Sequence, residues 1–134
     1  MADELTLDRV ERCLQQGKAK AAELNVEATI VVVDSAGHLA GALRMDNALW
    51  ITPEIAYAKA VTASAFRAST AEIDERWKSR PLFATSVIGL GGGRIVVGKG
   101  AVPIVEGGKV IGAVGVSGGI PADLDHEIAQ AAIE

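Results

Sequence analysis

No stretch narrows the folds open to this chain more than Ile51-Thr52-Pro53-Glu54-Ile55-Ala56-Tyr57-Ala58-Lys59-Ala60-Val61-Thr62-Ala63-Ser64-Ala65-Phe66, which reads as a helix with almost no water-facing side. Only Glu54 and Lys59 carry charge. Thr52 suits the N-cap, Pro53 the first helical position, where no amide donor is needed, and Glu54 complements the positive end of the helix dipole. At 3.6 residues per turn Ile55, Lys59, Thr62 and Phe66 share one face, and Tyr57, Ala60, Val61 and Ser64 cover the other. Lys59 therefore sits within an apolar stripe. A helix that is small or apolar all round is covered on both sides. In a chain of 134 residues this predicts its own sheet on one side and a second subunit on the other, hence a homo-oligomer.

The flanking segments supply the sheet. Thr6 caps a first helix whose small or apolar positions Leu7, Val10, Leu14, Gly17, Ala21 and Leu24 recur at gaps of three and four. Ala28 to Asp34 is a β-branched run ended by Ser35-Ala36-Gly37, the pattern of a strand covered on both faces, and His38 to Met45 returns as its antiparallel partner. Beyond the central helix, Ser69-Thr70-Ala71-Glu72 fits a capping box and opens a short polar helix through Trp77, which Pro81 ends. Arg94 to Val97, Val102 to Val105 and Lys109 to Ser117 read as three further strands, the last two joined by Glu106-Gly107-Gly108. Pro121 introduces a terminal helix with Leu124, Ile128 and Ala131 on its inner face and His126 on its surface. The order is helix, two strands, two helices, three strands, helix: one α+β domain over residues 1–134, with helices on the faces of an antiparallel sheet.

Composition closes off several functions. Net charge is −4 with no basic run, which argues against nucleic acid and against acidic membrane surfaces, and no apolar run has the length of a bilayer span. The start, Met1-Ala2-Asp3-Glu4, lacks the basic and apolar regions of a signal peptide, so a cytoplasmic location is expected. The single cysteine, Cys13, permits no internal disulfide and flanks the apolar stripe of the first helix, where it reads as a small buried hydrophobe. Two histidines and that cysteine, far apart in sequence, have no zinc-ligand spacing. Gly91-Gly92-Gly93 lacks the Gly-Lys-Ser/Thr ending of a phosphate loop, and the following Arg94-Ile95-Val96-Val97 reads as strand where such a loop needs a helix; a flexible turn and no nucleotide are expected.

Chemistry-bearing residues cluster around the central helix. Asp46, leaving the second strand toward that helix, is the natural partner of Lys59, because an unpaired buried ammonium is costly. Alternatively Arg44, Asp46 and Lys59 form a polar pocket for a carboxylate, with the planar fork of Arg44 as anchor. Thr62, on the Lys59 face, joins the candidate ligand contacts. So does Ser117, on the face of the final strand where Ile111, Ala113, Gly115 and Ser117 shrink and leave room for close approach. In the second strand His38, Ala40, Ala42 and Arg44 share a face, a plate of alanines with an imidazole and a guanidinium at its ends. Six residues of strand separate the two by about 20 Å, too far for one small ligand to touch both within a subunit.

Several of these segments resemble the GlcG/HbpS-like family, the haem-degrading or DUF336-type domain that also forms the C-terminal part of some PduO-type corrinoid adenosyltransferases. The resemblance rests on Val32-Val33-Asp34-Ser35-Ala36-Gly37-His38-Leu39, Arg44-Met45-Asp46, Ala58-Lys59-Ala60 with Thr62-Ala63, Gly100-Ala101-Val102-Pro103-Ile104 before Gly107-Gly108, and Ile111-Gly112-Ala113-Val114-Gly115-Val116-Ser117-Gly118. It implies a profilin-like sandwich with a five-stranded antiparallel sheet, assembled into symmetric oligomers. It also implies haem binding in some members, a link to corrinoids in others, and a place among genes of small-molecule catabolism in others again. The first functional reading is therefore a haem or tetrapyrrole binder, with His38 on the iron and Lys59 and Arg44 on the propionates. The alternative is an enzyme or accessory protein acting on a small anionic metabolite, with Lys59 as base or nucleophile and Arg44 as anchor. The third is an oligomeric scaffold without a ligand.

Overall fold

A computed structural model of the chain describes residues 4–134, so Met1-Ala2-Asp3, on which the reading of the N-terminus rests, lie outside the described residues. Helix α1 spans Leu7–Glu23, with the Thr6 hydroxyl accepting from the Arg9 amide (3.2 Å) as a side-chain cap. Strands β1 (Thr29–Asp34) and β2 (Leu39–Arg44) are antiparallel, in a register that sets Thr29 opposite Arg44. Helix α2 (Thr52–Phe66) follows, then α3 (Thr70–Trp77), α4 (Pro81–Leu90), the hairpin β3 (Ala101–Glu106) and β4 (Lys109–Ser117), and α5 (Asp123–Ala132).

The β-branched run of β1 has the consequence expected of a strand covered twice. Ile30 and Val32 enter a core with Val10 and Cys13 of α1, Ile128 of α5 and Val114 and Val116 of β4. Val31 and Val33 enter a second core with Ala56 and Ala60 of α2, Ile73 and Trp77 of α3, and Ala113. The fold is thus α+β, an antiparallel sheet flanked by helices on both faces. Cys13 is fully buried, and burial pushes its thiol up, against the nearby Arg9 and Arg12 charges.

The sheet has four strands, in the order β2-β1-β4-β3, and not the five expected. Residues 94–97 form no strand; instead the Val96 amide donates to the Thr62 hydroxyl of α2 (3.0 Å), and just beyond, the Gly98 amide donates to Asp74 of α3 (3.0 Å). This segment, with Ile95 in the second core, lies on the side of α2 where a second subunit was expected. Phe66 and Trp77 add an edge-to-face contact at 5.2 Å between α2 and α3. The chain therefore supplies much of the second cover itself.

Three local expectations also change. Thr52 is inside α2 and does not cap it; its hydroxyl donates to Leu49 O (2.7 Å) and lies 2.9 Å from the Thr29 hydroxyl, tying the helix start to β1. Pro81 opens a helix as well as ending one. α4 runs from Pro81 at its first turn to the glycine run, where Gly92 (φ 59°) and Gly93 (φ 86°) stop it. Lastly, α5 buries Asp125, Ile128, Ala129 and Ala132, a face rotated from the one expected, and His126 is half-buried, its Nδ1 enclosed without a partner. Among the described residues no helix is long and apolar enough to cross a membrane.

Candidate functional site

The structure separates residues that sequence grouped. Lys59 does not meet Asp46. From the middle of α2 its ammonium reaches under the end of β4, donating to Val116 O (3.0 Å) and to Asp125 Oδ2 (3.2 Å), and both side chains are almost fully buried, 7% and 3% exposed. Asp125 Oδ1 in turn accepts from the Gly119 amide (2.7 Å). Burial raises the Asp125 pKa above the ordinary carboxylate range, against the pull of the Lys59 charge and the backbone donors. A second carboxylate stands behind: Asp74 of α3, also raised by burial, against the Gly98 amide and the charges of Lys99, Lys59 and Lys78. Glycine at 98 and 100 permits this assembly, since a Cβ at Gly100 would fall 2.9 Å from Lys59 Nζ and 2.7 Å from Val116 O. Neither Asp125 nor Asp74 stood out from sequence. Asp125 is one of several acids in the first turns of α5, where the helix dipole alone accounts for them.

Arg44 is likewise committed. Its Nε and Nη2 both donate to Ala48 O (3.1 and 2.9 Å), closing the loop that leads into α2. Arg44 and Asp46 line a cleft of about 280 Å³ with Lys18, Leu43 and Met45, and Lys59 is not part of its wall. Thr62 spends its hydroxyl on Ala58 O (2.8 Å) and Val96 N. Ser117 is buried, opposite Thr29 in the ladder. The Arg44, Asp46 and Lys59 pocket is therefore not assembled within one chain.

His38 lies at the opposite end of β2 from Arg44. The β1–β2 turn is built on Asp34, whose Oδ1 accepts from the Ala36 and His38 amides (both 2.9 Å), while its Oδ2 stands 3.5 Å from His38 Nδ1. Burial raises the Asp34 pKa, but the two amides and the imidazole outweigh it, and the net shift is downward. The imidazole is 76% exposed, and Ala40 and Ala42 are exposed too. The ladder shifts register between Val32 and Val33 and skips Ala40, however, so the strict alternation expected to put His38, Ala40, Ala42 and Arg44 on one face is interrupted.

One concavity went unread in the sequence. A cleft of about 380 Å³ lies between the end of α1, the loop before α2 and the loop after β4, with Leu24, Val26, Leu49, Ile120 and Leu124 among its walls. It brings together three loops distant in sequence, and no periodicity reports that.

The family model described as haem degrading protein HbpS-like matches residues 5–134. A 15.0 kDa protein encoded between dhaT and dhaS in Citrobacter freundii is 37% identical over 133 residues, 97% of this chain and 90% of that protein. Among solved structures, the Klebsiella pneumoniae protein ORFY superimposes with a TM-score of 0.87 at 32% identity, covering 96% of this chain and 88% of its own. The PduOC:heme complex does so with a TM-score of 0.87 at 28% identity, covering 97% and 93%.

Proposed function

We propose that this chain, which belongs to the HbpS-like family, binds haem or a related tetrapyrrole and does so as a homo-oligomer. The observation that carries the reading is its likeness, over nearly its whole length, to a chain solved with haem. The donor set fits at one place. A carboxylate facing Nδ1 favours the tautomer that leaves Nε2 for a metal, and His38 Nδ1 stands 3.5 Å from Asp34 Oδ2 in the open. His38 would hold a haem through its iron there, and the exposed Ala40 and Ala42 put little side-chain bulk on that strand. Lys59 is buried and paired with Asp125, so it is not free for a propionate, whereas Arg44 gives Nε and Nη2 to Ala48 O and keeps Nη1.

Titration of the purified protein with hemin tests this. A saturable, stoichiometric Soret shift is expected, weakened about tenfold or more in His38→Ala. The same unsaturable shift in both proteins would mean apolar sticking and would remove the assignment.

The oligomer is supported by α4. This helix has no charged residue and buries none of its side chains; Leu82 and Leu90 are each 85% exposed. Water-facing apolar surface of that kind marks an interaction face, and the lack of basic residues fits another protein surface better than a lipid headgroup layer. In light scattering the wild type is expected to exceed the monomer mass at micromolar concentration, and Leu82→Glu with Leu90→Glu to reduce it. A monodisperse wild-type monomer would contradict the reading.

A further inference from the structure

We propose that the cleft between the β1–β2 turn, the C-terminal end of α2 and the β3–β4 turn binds a small oxyanion, a phosphate or a short dicarboxylate, between Arg67 and Lys109. The cleft has a volume of about 340 Å³ and is walled by Ser35, Ser64, Arg67, Gly108, Lys109 and Val110. Two of these are cations and none is an acid, in a chain whose net charge is −4. Neither cation takes part in an ion pair among the described residues. Two like charges converging on a concave wall repel each other, and the field they set up there attracts an anion.

The backbone at Arg67 adds a separate reason. Arg67 closes α2 in the left-handed conformation, φ 53° and ψ 42°, its amide donating to Ala63 O. Glycine or asparagine is the usual residue at such a helix end, and a residue with a Cβ and no local hydrogen bond costs about 1 kcal/mol there. The backbone needs only a residue that tolerates positive φ, so the choice of arginine answers to its side chain. A cation at a helix C-terminus does complement the dipole, yet any residue of the last turn could serve that end. The dipole does not account for a second cation arriving from the β3–β4 turn. The wall between them is fixed: the Ser64 hydroxyl donates to Asp34 O (3.0 Å) and lies 3.1 Å from Ser35 O, which holds the β1–β2 turn against α2. Ser35 brings a further hydroxyl to the lining. The site does not rest on the tetrapyrrole reading, since no residue of it is invoked there.

Amide ¹H–¹⁵N spectra of the full chain, titrated with inorganic phosphate and separately with malonate at constant ionic strength, test the proposal. Saturable shifts at Ser35, Arg67 and Lys109 are expected with at least one of the two, and which one responds identifies the class. Arg67→Gly is expected to weaken binding at least tenfold with a Tm equal to or above that of the wild type, because glycine adopts the same φ without strain. Lys109→Gln, a change at an exposed turn, is expected to weaken binding comparably, and Arg67→Lys to retain part of it. Unsaturable shifts with both anions, or unchanged affinity in Arg67→Gly and Lys109→Gln, would overturn the site.

Discussion

Lys59→Met is expected to lower stability at pH 7 by about 3–5 kcal/mol, a large part of what a domain of this size possesses. The cost comes less from losing the attraction than from stranding Asp125, which stays 3% exposed with the Gly119 amide as its remaining close donor. The double variant Lys59→Met/Asp125→Leu should regain most of the deficit, since a buried pair exchanged for packed apolar groups is often neutral. Acid should help the single variant. With the cation gone and burial unchanged, Asp125 keeps a folded pKa above its unfolded value. Its penalty is present above the folded pKa and fades as the pH falls through that value toward about 4. Urea denaturation at pH 7 and pH 5 checks both statements. A single-variant deficit below about 1 kcal/mol, or one that grows on acidification, would mean that the pair is not closed.

Lys59 also marks how far sequence reading reached. Its position on an apolar helix face announced a buried ammonium in need of a partner, and it has one. The partner was legible only as a requirement. Asp46 was chosen because it leaves β2 toward α2, whereas Asp125 is 66 residues away and comes close because α5 packs beside the end of β4. The one-sided period of α1 and the two-sided small or apolar runs of α2 and β1 survive because the cover along each is continuous, one core beside α1 and one on either face of β1. Such patterns mislead at 94–97, where Arg-Ile-Val-Val has the composition of a strand but the Val96 amide goes to Thr62 and the Gly98 amide just beyond goes to Asp74. α4 escaped notice because its ten residues carry no charge and its two polar side chains, Thr85 and Ser86, are adjacent and mark no face. A segment without an amphipathic pattern has no period to detect, and Pro81 signals a helix start as well as a stop.

The candidate site divides along the same line. His38 with Asp34 is a local turn, five residues from end to end, and its geometry follows from Asp-Ser-Ala-Gly-His itself. The Arg67 and Lys109 cleft joins two turns and a helix end that are far apart in sequence, so nothing local to any of them announces it. Arg67 in particular drew no attention in sequence, because what sets it apart is its left-handed backbone at the end of α2.

Gly115→Ala is expected to destabilise the chain by about 3 kcal/mol, the upper end of what one added methyl costs in a packed core. The reason lies in how α2 is seated. A Cβ at Gly115 would collide with Ala56 O and stand 2.7 Å from the Ala60 amide nitrogen, both of them helix backbone, with the Ala60 methyl at 2.9 Å. Backbone cannot rotate aside as a side-chain tip can, so the helix must lift from β4. Lifting it also withdraws Lys59 from Val116 O, and the loss therefore spreads to the buried ion pair. The small residues of α2 thus have a cause beyond helix propensity: Ala56 and Ala60 over Gly115 bring the two backbones close enough for a lysine to reach across the sheet end. Gly89→Ala is the control, since a Cβ there meets nothing within 4 Å, and in the interior of α4 it should stabilise by about 0.5–1 kcal/mol. Thermal melts of the two variants, with the Lys59→Met background added to each, give the decisive comparison. If Gly115→Ala costs as much in that background as alone, the helix seat and the ion pair are independent; a smaller cost there is the result expected of a helix whose close approach is what closes the pair.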